Sequence, residues 1–138
     1  LARKQSLDNP VFYVQYAHAR MCSIMRHCAE TQPALAACTY EPGSVDAARL
    51  AAPEEQELVR HLAQFDGCVQ QAAETCEPHR LTNYLEKLAE LFHRYYNQHQ
   101  IVVEDEGLAR ARLALVQVTR HVVRNGLALL GVRAPERM

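Results

Sequence analysis

Glycine is scarce in this 138-residue chain: five residues, scattered rather than clustered. That excludes the glycine-rich loops that cradle phosphates, and neither a G-x-S-x-G elbow nor an H-E-x-x-H helix occurs. Nothing that remains assembles a nucleophile, a base and an oxyanion site, so the chain is expected to catalyse nothing by itself. No apolar run approaches the roughly 18 residues that would span a bilayer, so no membrane partner is expected. The opening LARKQSLDNP also lacks the apolar centre of a secretory signal. No segment alternates apolar and polar residues for long enough to make a sheet. Five cysteines (Cys22, Cys28, Cys38, Cys68, Cys76) occur without a C-x-x-C pair. Their odd number argues against a disulfide framework and for reduced thiols in a cytoplasmic protein. Cys22, His27, Cys28 and the His93/His99 pair match no standard zinc spacing, and no metal site is expected. The chain opens on Leu1 rather than Met, which suggests a fragment or a processed product.

What is present suits one soluble globular domain: 49% apolar and 22% charged residues, and enough length to bury about two-thirds of the unfolded surface. The net charge of −1 hides a division. Residues 41–77 carry eight acids against Arg49 and Arg60, whereas residues 107–138 carry Arg110, Arg112, Arg120, Arg124, Arg133 and Arg137 against Glu136 alone. Only the C-terminal end could hold a polyanion. On charge alone, a solvated helix face answering acids elsewhere in the molecule fits equally well.

Helical spacing organises most of the chain. Asp8 or Asn9 can cap a first helix over about 9–30, with Pro10 at its first position. Val11, Val14, His18, Met21, Met25 and Cys28 form its core stripe at 3/4 spacing. Residues 31–53 show no sustained period and are long for a loop, apart from a short turn of helix over 46–51. Pro53, Glu54 and Glu55 start a short helix with Leu58, Leu62 and Phe65 inward, the acids suiting the positive helix end. Asp66 is expected to cap the next, with Val69, Ala72, Ala73 and Cys76 inward. Pro78 opens a longer helix whose core face is Leu81, Leu85, Leu88, Phe92 and Tyr95. A link at Ile101–Val103 leads to Asp105, the cap of the last helix. There Leu108, Leu115, Val122 and Leu129 repeat every seven residues, with Ala111 and Val118 between and Val116, Val123 and Leu130 widening the stripe. Gly131 is a natural stop. The expectation is an all-α bundle of about five helices, the three long ones near-antiparallel.

One stretch, DNPVFYVQYAHAR, places aromatics where water is expected. Phe12, Tyr16 and Arg20 fall opposite the core stripe, and Tyr13 lies on the flank. Such rings can stack on unpaired bases, and arginine can pair with phosphate or lie on a base plane. The residues alone leave a nucleic acid, a protein partner docking on these aromatics, and packing against the long loop all open. His18, at the edge of the core stripe, is expected to be a structural histidine. Glu86 and Glu90, with Lys87 between them, belong to a solvated face.

DNPVFYVQYAHAR closely resembles the helix that opens the anticodon-binding domain of arginyl-tRNA synthetases. The similarity continues through EPHRLTNYLEKLAELFHRYYN, ARARLALVQVTRHVVRNGLALLG and the terminal APERM; residues 31–53 show none and look like a lineage-variable insertion. The resemblance implies an all-helical domain over 1–138 that binds the anticodon stem-loop of tRNA for arginine. It implies further that Tyr13, Tyr16, Arg20 and Met138 line the anticodon site, with Arg133 and Arg137 as phosphate contacts. The family's catalytic domain, with its HIGH and KMSK-type signatures, would lie upstream and work with ATP and magnesium in the cytoplasm. Such a chain alone would need no cofactor and would be inactive as a ligase. Every arginine codon has G in second place, so a single pocket for a middle cytosine would serve every matching anticodon.

Overall fold

The structure, a computed structural model, describes residues 9–37 and 43–138; Asp8, the alternative cap, and Cys38 lie outside them. Helix α1 spans Pro10–Thr31. The Asn9 side chain caps it by accepting from the Val11 and Phe12 N–H groups at 3.0 and 3.4 Å. A single turn α2 (Pro33–Ala36) and a 3₁₀ turn (Ala47–Arg49, capped by Asp46) follow. The remaining helices are α3 (Pro53–Leu62), α4 (Phe65–Thr75), α5 (His79–Gln98) and α6 (Glu106–Leu129). Five of these helices have ten residues or more, and no strand occurs among the described residues.

The three long helices α1, α5 and α6 touch one another pairwise, α3 and α4 lie on α5, and α3 also reaches α6. The α5 stripe is buried throughout, from Leu81 to Tyr95. On α1, Val14, His18, Met21 and Cys28 are buried as their spacing predicts, while Val11 and Met25 are half-buried at the edges.

Two helices depart from expectation. In α6 the sevenfold series is only partly inward: Leu115 and Ala111 are buried, Leu108 and Val122 half-buried, and Val118 and Leu129 are 49% and 61% exposed. The stripe that packs is Ala109, Leu113, Val116, Val123 and Leu127. α6 offers several apolar stripes, and the choice among them follows Gly126. A Cβ there would stand 2.7 Å from Leu85 Cδ2, so the missing side chain lets α5 and α6 close together, which sets the rotation of α6. In α4, Asp66 is not the cap but stands in the first turn after Gln64. Val69 and Ala72 are half-buried, and Ala73 and Cys76 are exposed. Cys76 turns outward because it ends the helix in the left-handed region, with φ 54°, while the Glu77 N–H closes onto the Ala72 carbonyl at 3.0 Å.

Glu55, expected only to favour the positive end of α3, is buried. One of its oxygens accepts from the Ala52 N–H at 3.1 Å. The other takes Arg112 Nε at 2.7 Å and the Tyr95 hydroxyl at 3.2 Å. This single carboxylate ties α3, α5 and α6 together, and a charge so deeply placed is tolerable only when paired in this way. Burial and the neighbouring Glu55 hold the Tyr95 hydroxyl protonated well above the ordinary tyrosine range. At the end of α6, Gly131 adopts φ +72°. Val132 and Gly131 donate back to the Leu127 and Ala128 carbonyls at 2.9 and 3.0 Å, a Schellman closure that turns residues 132–138 back towards α1.

Candidate nucleic-acid interface

Tyr13 and Tyr16, one turn apart on α1, are both half-buried, Tyr13 on the flank of the core stripe and Tyr16 less open to water than its place opposite that stripe suggests. Both rings lean on His93 of α5, with centroids 5.3 and 5.8 Å away. Arg20, one turn further, lays its guanidinium 4.5 Å from the centroid of Tyr96 and 5.9 Å from that of Tyr16. The reason is geometric: α1 packs on both α5 and α6, so it needs two contact stripes. The second is made of tyrosine, histidine and arginine, which an apolar pattern does not count.

His93, weighed as a metal ligand from its sequence, serves instead as a wedge between the tyrosines. Burial, with Arg20 adding to it, lowers its pKa to about 4, so the ring is neutral near pH 7. Among the described residues no group of three or more His, Cys, Asp or Glu side chains converges on a metal-sized site.

Beside this ledge lies a groove of about 1010 Å³. Tyr16, Arg20 and Arg26 of α1 line it together with Tyr96, the loop from His99 to Val102, and Arg137 and Met138 of the tail. Of the residues singled out in the sequence, Tyr16, Arg20, Arg137 and Met138 therefore meet here. Tyr13 does not: it borders a smaller neighbouring depression of about 470 Å³ with Asn83, Glu86, Lys87 and Glu90. There burial and Glu90 raise its hydroxyl pKa. Arg133 lies outside the groove wall; its backbone carbonyl accepts from Gln15 Nε2 at 2.8 Å. Phe12 is half-buried.

Tyr96 and Arg26 were not singled out in the sequence, and His99 only as a possible metal ligand. A signal existed for two of them: His93, Tyr96 and His99 recur every third residue, from the apolar stripe's flank on α5 to the residue that caps its end. His99 is fixed from behind by Glu54, whose carboxylate sits 2.9 Å from Nε2 and whose pKa this contact lowers.

Charge completes the site. Among the described residues, the groove's Arg20, Arg26 and Arg137 form no salt bridge, nor do Arg60, Arg120, Arg124 and Arg133 outside it, whereas Arg49, Arg80, Arg94, Arg110 and Arg112 each do. A groove with aromatic walls and cations lacking carboxylate partners can receive splayed bases and their phosphates. Residues 14–138 match the family model of the DALR anticodon binding domain. The chain belongs to the DALR anticodon-binding family. Relatives agree. The chain is 48% identical to the arginine–tRNA ligase of Desulforamulus reducens and 50% identical to that of Symbiobacterium thermophilum. Each match runs over 138 residues, all of this chain and 24% of the relative. The arginyl-tRNA synthetase of Thermus thermophilus superposes with a TM-score of 0.79 at 37% identity, over 96% of this chain and 22% of that one. The DALR chain thus spans about a quarter of the length of the ligases it matches.

Proposed function

We propose that this DALR domain binds the anticodon stem-loop of tRNA for arginine, as the C-terminal recognition part of an arginine–tRNA ligase. In this reading residues 1–138 are one anticodon-binding domain into which 31–53 is inserted. The observation that carries it is the groove in which Tyr16, the Arg20–Tyr96 pair, Arg137 and Met138 meet. Tyr16 and Tyr96 offer ring faces to unstacked bases, and Arg20, 4.5 Å from the Tyr96 ring centroid, presents its donors to a base edge or a phosphate. Tyr13 contributes from the adjoining depression by bracing His93 and the Tyr16 ring. Arg137 and Arg133 meet the RNA backbone. Ligation itself, with ATP and magnesium in the cytoplasm, belongs to a catalytic domain of the whole protein, which the 138 residues do not contain.

The test is binding of the chain to an anticodon stem-loop of an arginine tRNA, against the same stem-loop with its middle cytosine changed to uracil. Tighter binding of the cytosine form by at least about tenfold, roughly 1.4 kcal/mol, supports the reading. Equal binding overturns it.

A further inference from the structure

Residues 132–138 leave α6 without any helix of their own, yet three side chains of α1 hold their backbone. Gln15 Nε2 donates to the Arg133 carbonyl at 2.8 Å, His18 Nδ1 meets the Pro135 carbonyl at 2.9 Å, and Arg26 Nη1 donates to the Glu136 carbonyl at 3.1 Å. The bonds advance in register, since later tail residues meet later α1 residues, so the tail lies along α1. Pro135 fixes its own φ and gives no competing N–H.

His18 is central to this contact. Its ring is buried, and because a carbonyl can only accept, Nδ1 must carry the proton. Burial lowers its pKa, the tail bond opposes that, and among the charges facing it Arg120 and Arg124 of α6 lower it while Glu136 raises it. The neutral ring with Nδ1–H is therefore the form in place near pH 7.

We propose that Gln15 and His18, helped by Arg26, are positioning residues for anticodon recognition: they clamp the tail so that Arg137 and Met138 stand at the mouth of the groove. The proposal rests on the anticodon reading above. Neither Gln15 nor His18 lines the groove, so they act on RNA only through the tail. A free tail of this length would spread its end over about 15 Å, too far to present one methionine to one base. The clamp removes that spread before the RNA arrives, so less ordering is left for binding.

The experiment uses the 138-residue chain and a fluorescent arginine-type anticodon stem-loop. Gln15→Ala and His18→Leu are made in the intact chain and in a chain lacking residues 137–138. Each should weaken binding of the intact chain by about 3- to 10-fold, the range of one lost hydrogen bond, and change nothing in the shortened chain, where the coupled partner is gone. His18→Asn, whose amide can stand where Nδ1–H stood, should restore most of the loss. The Met138 methyl resonance should move to its random-coil position in Gln15→Ala without RNA present.

Gln15 is a helix-surface residue, so its variant reports even if His18→Leu fails to fold. Equal losses in the intact and shortened chains would overturn the clamp, and so would an unmoved Met138 methyl. A loosened tail with unchanged affinity would overturn the clamp while the anticodon reading stands. Failure of the unaltered chain to bind the stem-loop would remove both.

Discussion

Arginine is used in two ways in this molecule. In the part built from the 3₁₀ turn, α3, α4, α5 and the first turns of α6, five of six arginines meet a carboxylate among the described residues, Arg60 being the exception: Arg49 with Asp105, Arg80 with Glu77, Arg94 with Glu57 and Glu90, Arg110 with Glu106, and Arg112 with Glu55. Along α1, the second half of α6 and the tail, Arg20, Arg26, Arg120, Arg124, Arg133 and Arg137 meet none among the described residues. The near-zero net charge of the chain is thus the sum of an acid-rich middle, residues 41–112, and arginine-rich ends. Within a screening length of about 8 Å at physiological salt, an approaching RNA senses only the local excess. Arg49, Arg94 and Arg112 tie separate elements together through their carboxylates, while the arginines without such partners stay available to an anion.

The sharpest way to break this division is to attack the paired half at its most buried point. Glu55→Ala leaves Arg112 and the Tyr95 hydroxyl facing an empty site, and is expected to lower unfolding free energy by about 3–5 kcal/mol. Urea denaturation measures this, and at low temperature, with the chain still folded, stem-loop affinity should stay near that of the unaltered protein. A loss under about 1 kcal/mol would mean that the pair is solvated and the contrast between halves is overstated.

Tyr16→Ala tests the other half. Binding of the stem-loop should fall by about 1–3 kcal/mol, the value of one base–aromatic stack. Because Tyr16 also leans on His93, stability should fall as well, by about 0.5–1.5 kcal/mol. A larger loss of stability than of affinity would make Tyr16 a core residue first.

His93 supplies a pH test that separates the ledge from the rest. Its folded pKa of about 4 lies below the ordinary 6.5, so the unfolded chain binds a proton more readily between those values. Its contribution to stability is complete above about pH 6.5 and is lost as pH falls towards 4. His18 is shifted in the same direction. Thermal unfolding followed from pH 7 to 4 should show that decline, and it should be shallower in His93→Phe, which keeps the ring wedge but cannot titrate. Identical slopes would remove His93 from the ledge's electrostatics.

The smallest expected effect compares one arginine from each half. Arg137→Gln should make the dependence of log affinity on log salt shallower by about 0.7, the contribution of one single-stranded phosphate contact. Arg110→Gln, taken from the Glu106 pair, should leave that slope unchanged. Equal changes from both would dissolve the distinction between paired and unpaired arginines.

Much of this was legible in the chain itself. Helix starts announce themselves locally: Asn9, Asp46 and Asp105 cap because a short polar side chain reaches the orphan N–H groups one turn ahead, and Gly131 ends α6 because only a left-handed residue closes that turn. The α5 stripe from Leu81 to Tyr95 is legible because its 3/4 spacing is unbroken, although Tyr84, Ala89 and Leu91 are buried beside it. DNPVFYVQYAHAR and APERM carried the candidate site, and four of its six residues do meet in one groove. The rest depends on which neighbours surround each face. α6 has apolar residues nearly all round, so its rotation waited for Gly126 to meet Leu85. Tyr16 and Arg20 look free in a helical projection because His93 and Tyr96, which cover them, lie some eighty residues away in sequence. Glu55 reads as a helix-start acid until Arg112 and Tyr95 converge on it. The placement of Met138 came from the tail bonds to Gln15, His18 and Arg26. Local signals specify which elements form and where they stop; their rotation and pairing arise from long-range contact, which a one-dimensional pattern does not carry.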